Sequence, residues 1–285
     1  MWANMEKSAM WLNLSKTSAI AMLFSVFAAI APLTARADDN WPALRTEFFG
    51  EREITEGQVP LAIEAPDKAE DSAIVPIAVY LFGSIAGNVK TMHVFIDNNP
   101  MPLVGKFDFG PAAGSGARTF STRVRFDTYS YLRAVVEMTD GRLLMTTKFV
   151  QAAGGCSAPA LKDFNDAMGH TGEMNLKKME KPQRFASNRQ SLTFMREAQV
   201  MLRHPNFSGM QMDPATGAFV PARYVREIEV KRGDDLVFHL EAGISLSTNP
   251  NIRFTYESSG EEDLAARGTD SDGKTFNAVA PASGS

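Results

Sequence analysis

One cysteine, Cys156, and four histidines are all that this chain of 285 residues offers for thiol and metal chemistry. A single cysteine excludes an intrachain disulfide, and in an oxidising compartment an unpaired thiol must be buried or used. His93, His170, His204 and His239 are scattered, with no pair at the spacing of a zinc or non-haem iron site. Neither a metal nor a cofactor is expected. Met168, His170 and Met174, and later His204, Met210 and Met212, are donors of the kind copper(I) takes, but methionines so placed read as apolar filler.

Basic runs are equally scarce. None is longer than Lys177-Lys178 or Lys231-Arg232, and the formal net charge is −4, so the surface repels phosphate backbones and nucleic acid is excluded as a partner. Gly114-Ser115-Gly116 is too short for a phosphate loop or a nucleophile elbow and reads as a turn.

What is present is an ordinary globular composition, 44% apolar and 22% charged, with length for two domains. Residues 1–37 differ from the rest. Lys7 and Lys16 precede an uncharged apolar run over 17–33, and Ala35-Arg36-Ala37 then precedes Asp38. That order predicts a cleaved signal peptide, a periplasmic mature chain beginning at Asp38, and no membrane association after cleavage.

Asn40-Trp41-Pro42 predicts a short helix to about Gly50, with Trp41, Leu44 and Phe48 forming its apolar stripe. From 60 to 150 the pattern becomes short β-rich runs, at 61–64, 74–82, 92–96, 118–126, 131–138 and 143–150, separated by turn residues such as Asp140-Gly141. In one run Phe120, Val124 and Phe126 alternate with Ser121, Arg123 and Arg125, as in a strand with one buried face. A second β-rich block has candidate strands at 195–202, 219–230, 236–240 and 252–256, with a hairpin over 269–279 around Asp272-Gly273. Crossover helices are missing, so the expectation is an all-β chain of two immunoglobulin-like antiparallel sandwiches, over 38–153 and 191–285. Between them 154–190 reads as an arm and linker, with one short helix suggested by Leu161, Phe164 and Met168.

Cys156 stands in QAAGGCSAPA, residues 151–160, directly after the last strand of the first block. Gly154 and Gly155 predict a mobile backbone and an unshielded thiol. A helix starting near Pro159 would place the cysteine at its positive end, which favours the thiolate. No histidine in a recognisable motif accompanies it as a base, so a catalytic role is not assigned.

Gly154-Gly155-Cys156 closing such a block resembles the carrier arm of the sulfur-oxidation protein SoxY. So do PLAIEAP at 60–66, VPI at 75–77 and FIDNNP at 95–100. The second block, with RHP at 203–205, VPARYV at 220–225 and STNP at 247–250, resembles SoxZ. One chain joining both is similar to the fused SoxYZ-like carriers associated with quinoprotein (PQQ-dependent) dehydrogenases. The resemblance implies a non-enzymatic carrier holding a sulfur-containing substrate, thiosulfate-type sulfur among the candidates, covalently on Cys156, with Gly154 and Gly155 as its hinge. It implies packing of the two halves on each other and, as partners, Sox-type sulfur-oxidising enzymes or a quinoprotein dehydrogenase. A docking module for such a dehydrogenase, without covalent cargo, is the alternative. In SoxY the arm ends the chain as Gly-Gly-Cys-Gly-Gly, whereas here Ser157-Ala158-Pro159 and a further block follow, so the arm is tethered at both ends.

Overall fold

A computed structural model describes residues 40–57, 59–158, 169, 171–179, 194–213, 215–258 and 262–282. The predicted leader, the linker helix and His170 lie outside the described residues. Residues 37–285 form one compact unit.

In the first half the described elements are α1 (Trp41–Phe49), β1 (Ile54–Glu56), β2 (Leu61–Glu64), β3 (Val75–Leu81), α2 (Gly83–Ala86), β4 (Val89–Ile96), β5 (Leu103–Phe109), β6 (Arg118–Val124), β7 (Ser130–Met138) and β8 (Leu143–Val150). The second half adds β9 (Met174–Lys178), β10 (Phe194–Leu202), β11 (Val225–Arg232), β12 (Asp235–Ala242), β13 (Asn251–Ser258), β14 (Leu264–Asp270) and β15 (Thr275–Ala280). The chain is all-β, with an immunoglobulin-like arrangement of two facing sheets.

The larger sheet runs β1-β8-β7-β4-β5-β12-β11-β14-β15, and the smaller runs β2-β3-β6-β13-β10-β9. Each sheet therefore passes through both halves. In the larger one β5 pairs antiparallel with β12, placing Phe107 opposite Leu240 and Phe109 opposite Phe238. In the smaller one β6 meets β13 through Ser121 opposite Arg253 and Phe120 opposite Phe254. The two sandwiches are joined edge to edge in both layers, so the strand edges at the seam have their backbone groups paired.

Period-2 alternation places the core. Along β3 and β6 alternate side chains are buried, and Val75, Ile77, Val79, Phe120 and Val124 face the opposite sheet. At the seam the ring of Phe107 lies 4.1 Å from that of Phe120 within the first half, Phe120 lies 6.0 Å from Phe238 of the second, and Phe238 lies 5.0 Å from Phe254, all edge to face. One aromatic cluster thus belongs to both halves, and such pairs add ~1 kcal/mol each beyond the area they bury.

Helix α1 covers the outer face of the larger sheet, where Trp41, Leu44 and Phe49 pack with Phe95, Val135 and Met145. That cover explains why β4 and β7 are buried on nearly every residue instead of alternating. The inward phenylalanine is Phe49. Phe48, expected in the apolar stripe, is 36% exposed because the helix faces the sheet one residue further round.

Three further expectations differ from the structure. The 219–230 strand begins only at Val225, since Pro221 interrupts the ladder and the residues before it pair through isolated bridges such as Met212 with Phe219. Strand β9 falls inside the expected linker and pairs with β10, Leu176 opposite Val200. Strand β6 ends at Val124, and Arg125, expected on a solvent-facing side, is 1% exposed.

Candidate functional site

After β8 the chain is stitched to its neighbours residue by residue. Gln151 N–H donates to Asp67 O at 2.9 Å, and Gln151 O accepts from Ala69 N–H at 3.0 Å. Ser72 Oγ donates to Ala153 O at 2.6 Å. Gly154 N–H reaches Asp127 O and Gly155 N–H reaches Phe126 O, both at 2.8 Å, and Ala158 N–H closes a turn onto Gly154 O at 3.1 Å. Cys156 lies inside this turn with 0% exposure.

The two glycines are fixed by the packing of the turn in different ways. A Cβ on Gly155 would stand 2.0 Å from Ser72 O and 2.8 Å from Phe126 O, so the residue is glycine because backbone approaches it closely. Gly154 has φ of +79° with open space where a Cβ would be, which is the conformational requirement of a tight turn. In this structure both glycines seat the segment.

The cover over the cysteine comes from the second half. Ser208 Oγ donates to Cys156 O at 2.6 Å, and Ser208 N–H donates to Gln211 Oε1 at 2.8 Å. Ser208 and Gln211 are both buried. The stretch before them is held by His204 N–H, which donates to Asn249 Oδ1 at 3.1 Å, and Ser247 Oγ, in the same STNP motif as Asn249, donates to Ala73 O at 2.6 Å. From the first half Asn99, in FIDNNP, donates to Arg125 O at 2.7 Å and accepts from Asp127 N–H at 2.9 Å.

An exposed, activated thiol is therefore not what this structure contains. Burial, and secondarily the charge of Asp127, push the Cys156 thiol up to about 12, while Arg125 works in the opposite direction. The reason for the departure is desolvation, which outweighs any single favourable charge. The helix expected near Pro159 lies outside the described residues.

Arg125 is the other unusual group here. Its Nη1 donates to the carbonyls of Asn206 at 2.7 Å, Leu246 at 2.8 Å and Ile244 at 3.2 Å, and its Nη2 reaches Pro205 O at 3.5 Å. All four acceptors belong to the second half. Neither Arg125 nor Ser208 was marked by any local sequence signal; Ser208 lies just beyond RHP, and Arg125 read as the polar face of a strand.

Two of the histidines are buried. His204 Nδ1 accepts from Asn206 N–H at 3.0 Å and its Nε2 faces Asp270 Oδ2 at 3.4 Å, with burial holding the ring down to about 4. His93 is likewise lowered to about 4 by burial and then by Lys106. Among the described residues no cluster of three or more His, Cys, Asp or Glu is placed to hold a metal ion, and no helix is long and apolar enough to cross a membrane.

A second feature lies on the outer face of the smaller sheet. A groove of ≈ 650 Å³ crosses the β6–β13 seam, lined among others by Glu64, Pro76, Arg123, Gln199, Asn251 and Arg253.

Residues 45–156 match the family of sulfur oxidation protein SoxY, and residues 186–281 match that of sulphur oxidation protein SoxZ. The first match ends on Cys156. Curated proteins gave no match. Among solved structures the chain is similar to the sulfur carrier protein SoxY from Chlorobium limicola f thiosulfatophilum, at 28% identity, over 40% of this chain and 91% of that one, with a TM-score of 0.34. It is also similar to a putative superoxide reductase from Thermotoga maritima, at 18% identity, over 35% of this chain and 95% of that one, with a TM-score of 0.30. A superoxide reductase (neelaredoxin) from Ignicoccus hospitalis follows at 15% identity, over 35% and 94%, with a TM-score of 0.29.

Proposed function

This chain belongs to the SoxY family over 45–156 and to the SoxZ family over 186–281, a fused SoxYZ-like arrangement, and on that premise we propose that it is a sulfur-oxidation carrier without catalytic activity of its own. Cys156 takes a sulfur-containing substrate or intermediate, such as thiosulfate-type sulfur, as a covalent adduct and presents it to partner enzymes. The observation that carries this reading is the end of the SoxY match on the one cysteine of the chain.

Loading joins the Cys156 sulfur to a sulfur of the substrate. The thiol proton goes to solvent and the two electrons released by S–S bond formation go to an acceptor held by the partner enzyme; exchange with an acceptor thiolate, which takes the cargo sulfur as the Cys156 S–S bond breaks, later returns Cys156 to its thiol. The arrangement described above is the sheltered form of the carrier. Presentation requires the 154–158 turn to part from Ser208 and from the 126–127 backbone, with Gly154 and Gly155 as the residues about which it swings. We place the protein in the periplasm, after removal of 1–37, with Sox-type sulfur-oxidising enzymes or a quinoprotein dehydrogenase as its partners. Intact-mass analysis of natively isolated protein tests the proposal: a sulfur-based increment on the Cys156 peptide, removed by reductant, is expected. A bare thiol that stays inert to iodoacetamide until the protein is denatured would sink it.

The groove across the β6–β13 seam favours a second reading, an accessory docking module for a PQQ-dependent dehydrogenase with no covalent cargo. Cys156→Ser separates the two, because docking survives that change and carriage does not.

A further inference from the structure

We infer that Arg125 is the charge partner of Cys156, the positioning residue whose guanidinium holds the thiolate when the buried cysteine ionises. This rests on the carrier reading of Cys156 and adds a residue to it.

Arg125 is 1% exposed, and among the described residues no carboxylate stands within ion-pairing distance of it. Its acceptors are the backbone carbonyls of Pro205, Asn206, Ile244 and Leu246, and its Nε is buried with no hydrogen-bond partner. A cation taken out of water without an anion is expensive, and carbonyl dipoles compensate it only in part. The ionisable group whose charge reaches it is the thiol of Cys156, which favours the guanidinium when ionised, and the guanidinium favours the thiolate in return.

The geometry ties the two together from both sides. Phe126, next to Arg125, accepts the Gly155 N–H beside the cysteine. Asn206 accepts from Arg125, and Ser208, two residues on, donates to Cys156 O. One short stretch of the second half thus holds both the cation and the cysteine. Other charges around the pair are Asp127, which opposes ionisation of the thiol, Asp71 beside Ser72, and the Arg223–Asp270 pair behind the neutral His204. Ser72, Ser208 and Gln211 are uncharged. Proton loss from the thiol leaves a thiolate within reach of the Arg125 charge, the proton passing to solvent, and no oxidant is involved.

The test is the rate of iodoacetamide alkylation of the full chain against pH, for the native protein, Arg125→Lys and Arg125→Gln. The thiolate displaces iodide, so the rate follows its fraction. Arg125→Gln is expected to move the inflection upward and to slow the reaction at pH 8 in proportion, about tenfold in thiolate for each pKa unit. Arg125→Lys, which keeps the charge, is expected to retain the native inflection. Faster alkylation at every pH in Arg125→Gln would overturn the inference, since it would mean that the arginine merely clamps the cover shut; an unchanged profile would overturn it as well. Should Arg125→Gln not fold, Arg125→Lys decides alone. A Lys variant that reacts faster at all pH values with its inflection moved towards the free-thiol value marks a clamp, and a retained inflection marks a charge partner. The measurement uses no sulfur substrate, so its outcome is independent of whether native protein carries an adduct.

Discussion

Ser208 Oγ donates a 2.6 Å hydrogen bond to the carbonyl oxygen of Cys156, 52 residues earlier in the chain. The contact joins the SoxZ-type half to the last residue of the SoxY-type match. A buried hydrogen bond of this kind contributes ~0.5–1.5 kcal/mol. Ser208→Ala is therefore expected to raise the alkylation rate of Cys156 by about threefold to tenfold at constant pH. An unchanged rate would show that opening of the turn does not involve this contact.

The two glycines before the cysteine separate by type of cost. Gly155→Ala sets a methyl against Ser72 O and Phe126 O and is expected to lose ~2–3 kcal/mol, with the thiol becoming reactive as the turn lifts. Gly154→Ala meets open space and bears only the left-handed backbone, about 1–2 kcal/mol. Urea denaturation of both variants, with thiol titration in the folded baseline, gives the comparison. Equal losses would contradict the close packing of Gly155.

Alkaline stability follows from the thiol. Folding raises its pKa from the ordinary 9.0 to about 12, so the folded state keeps a proton that the unfolded state gives up. The contribution is intact below pH 9 and is lost as pH rises from 9 towards 12, on the order of 4 kcal/mol in all. Cys156→Ala should lack this part of the decline, measured as the difference between the two denaturation curves from pH 8 to pH 11. Parallel curves would mean that the thiol ionises as readily folded as unfolded.

Acid acts through the buried histidines. His93 and His204 both fall from 6.5 to about 4 on folding. Their contribution is present above pH 6.5 and lost as pH falls towards 4, ~3 kcal/mol for each ring. Protonation of His204 at Nδ1 would also remove the acceptor of the Asn206 N–H. His204→Asn should flatten the stability curve between pH 6.5 and 4, and an unaltered slope there would refute the assignment.

Because the aromatic cluster at the seam is shared, Phe107→Ala or Phe238→Ala is expected to cost ~3–5 kcal/mol and to lower one common melting transition. Calorimetry that resolved two transitions, only one of them moved by either change, would show that the halves unfold separately.

Much of the fold was legible because alternation is a local signal. Val75, Ile77 and Val79 mark β3 without any knowledge of its partners, and β2 and β8 end where their turn residues begin. Strand β5 escaped, since Pro100 and Pro102 precede it and Gly105 interrupts its pattern, and its place is fixed by β12, more than 120 residues away. At the site the residue type was readable and its surroundings were not. Paired glycines before a cysteine suit free swinging and tight packing equally well, and the close approach of Ser72 O to Gly155 comes from another loop that no local pattern announces. Arg125 occupies a polar position of an alternating run, and its burial depends on carbonyls at 205–206, 244 and 246.

The edge-to-edge seam also bears on how the protein is made. When the first half has left the ribosome, β5 and β6 stand complete with one side of each still unpaired, and they remain so until β12 and β13, more than 100 residues later, have been synthesised. A nascent or prematurely terminated chain ending after β8 would present two bare edges at once, templates for pairing with another copy. Placing both halves in one polypeptide delivers the strands that close those edges to the same molecule, one for one, however little of the protein the cell produces.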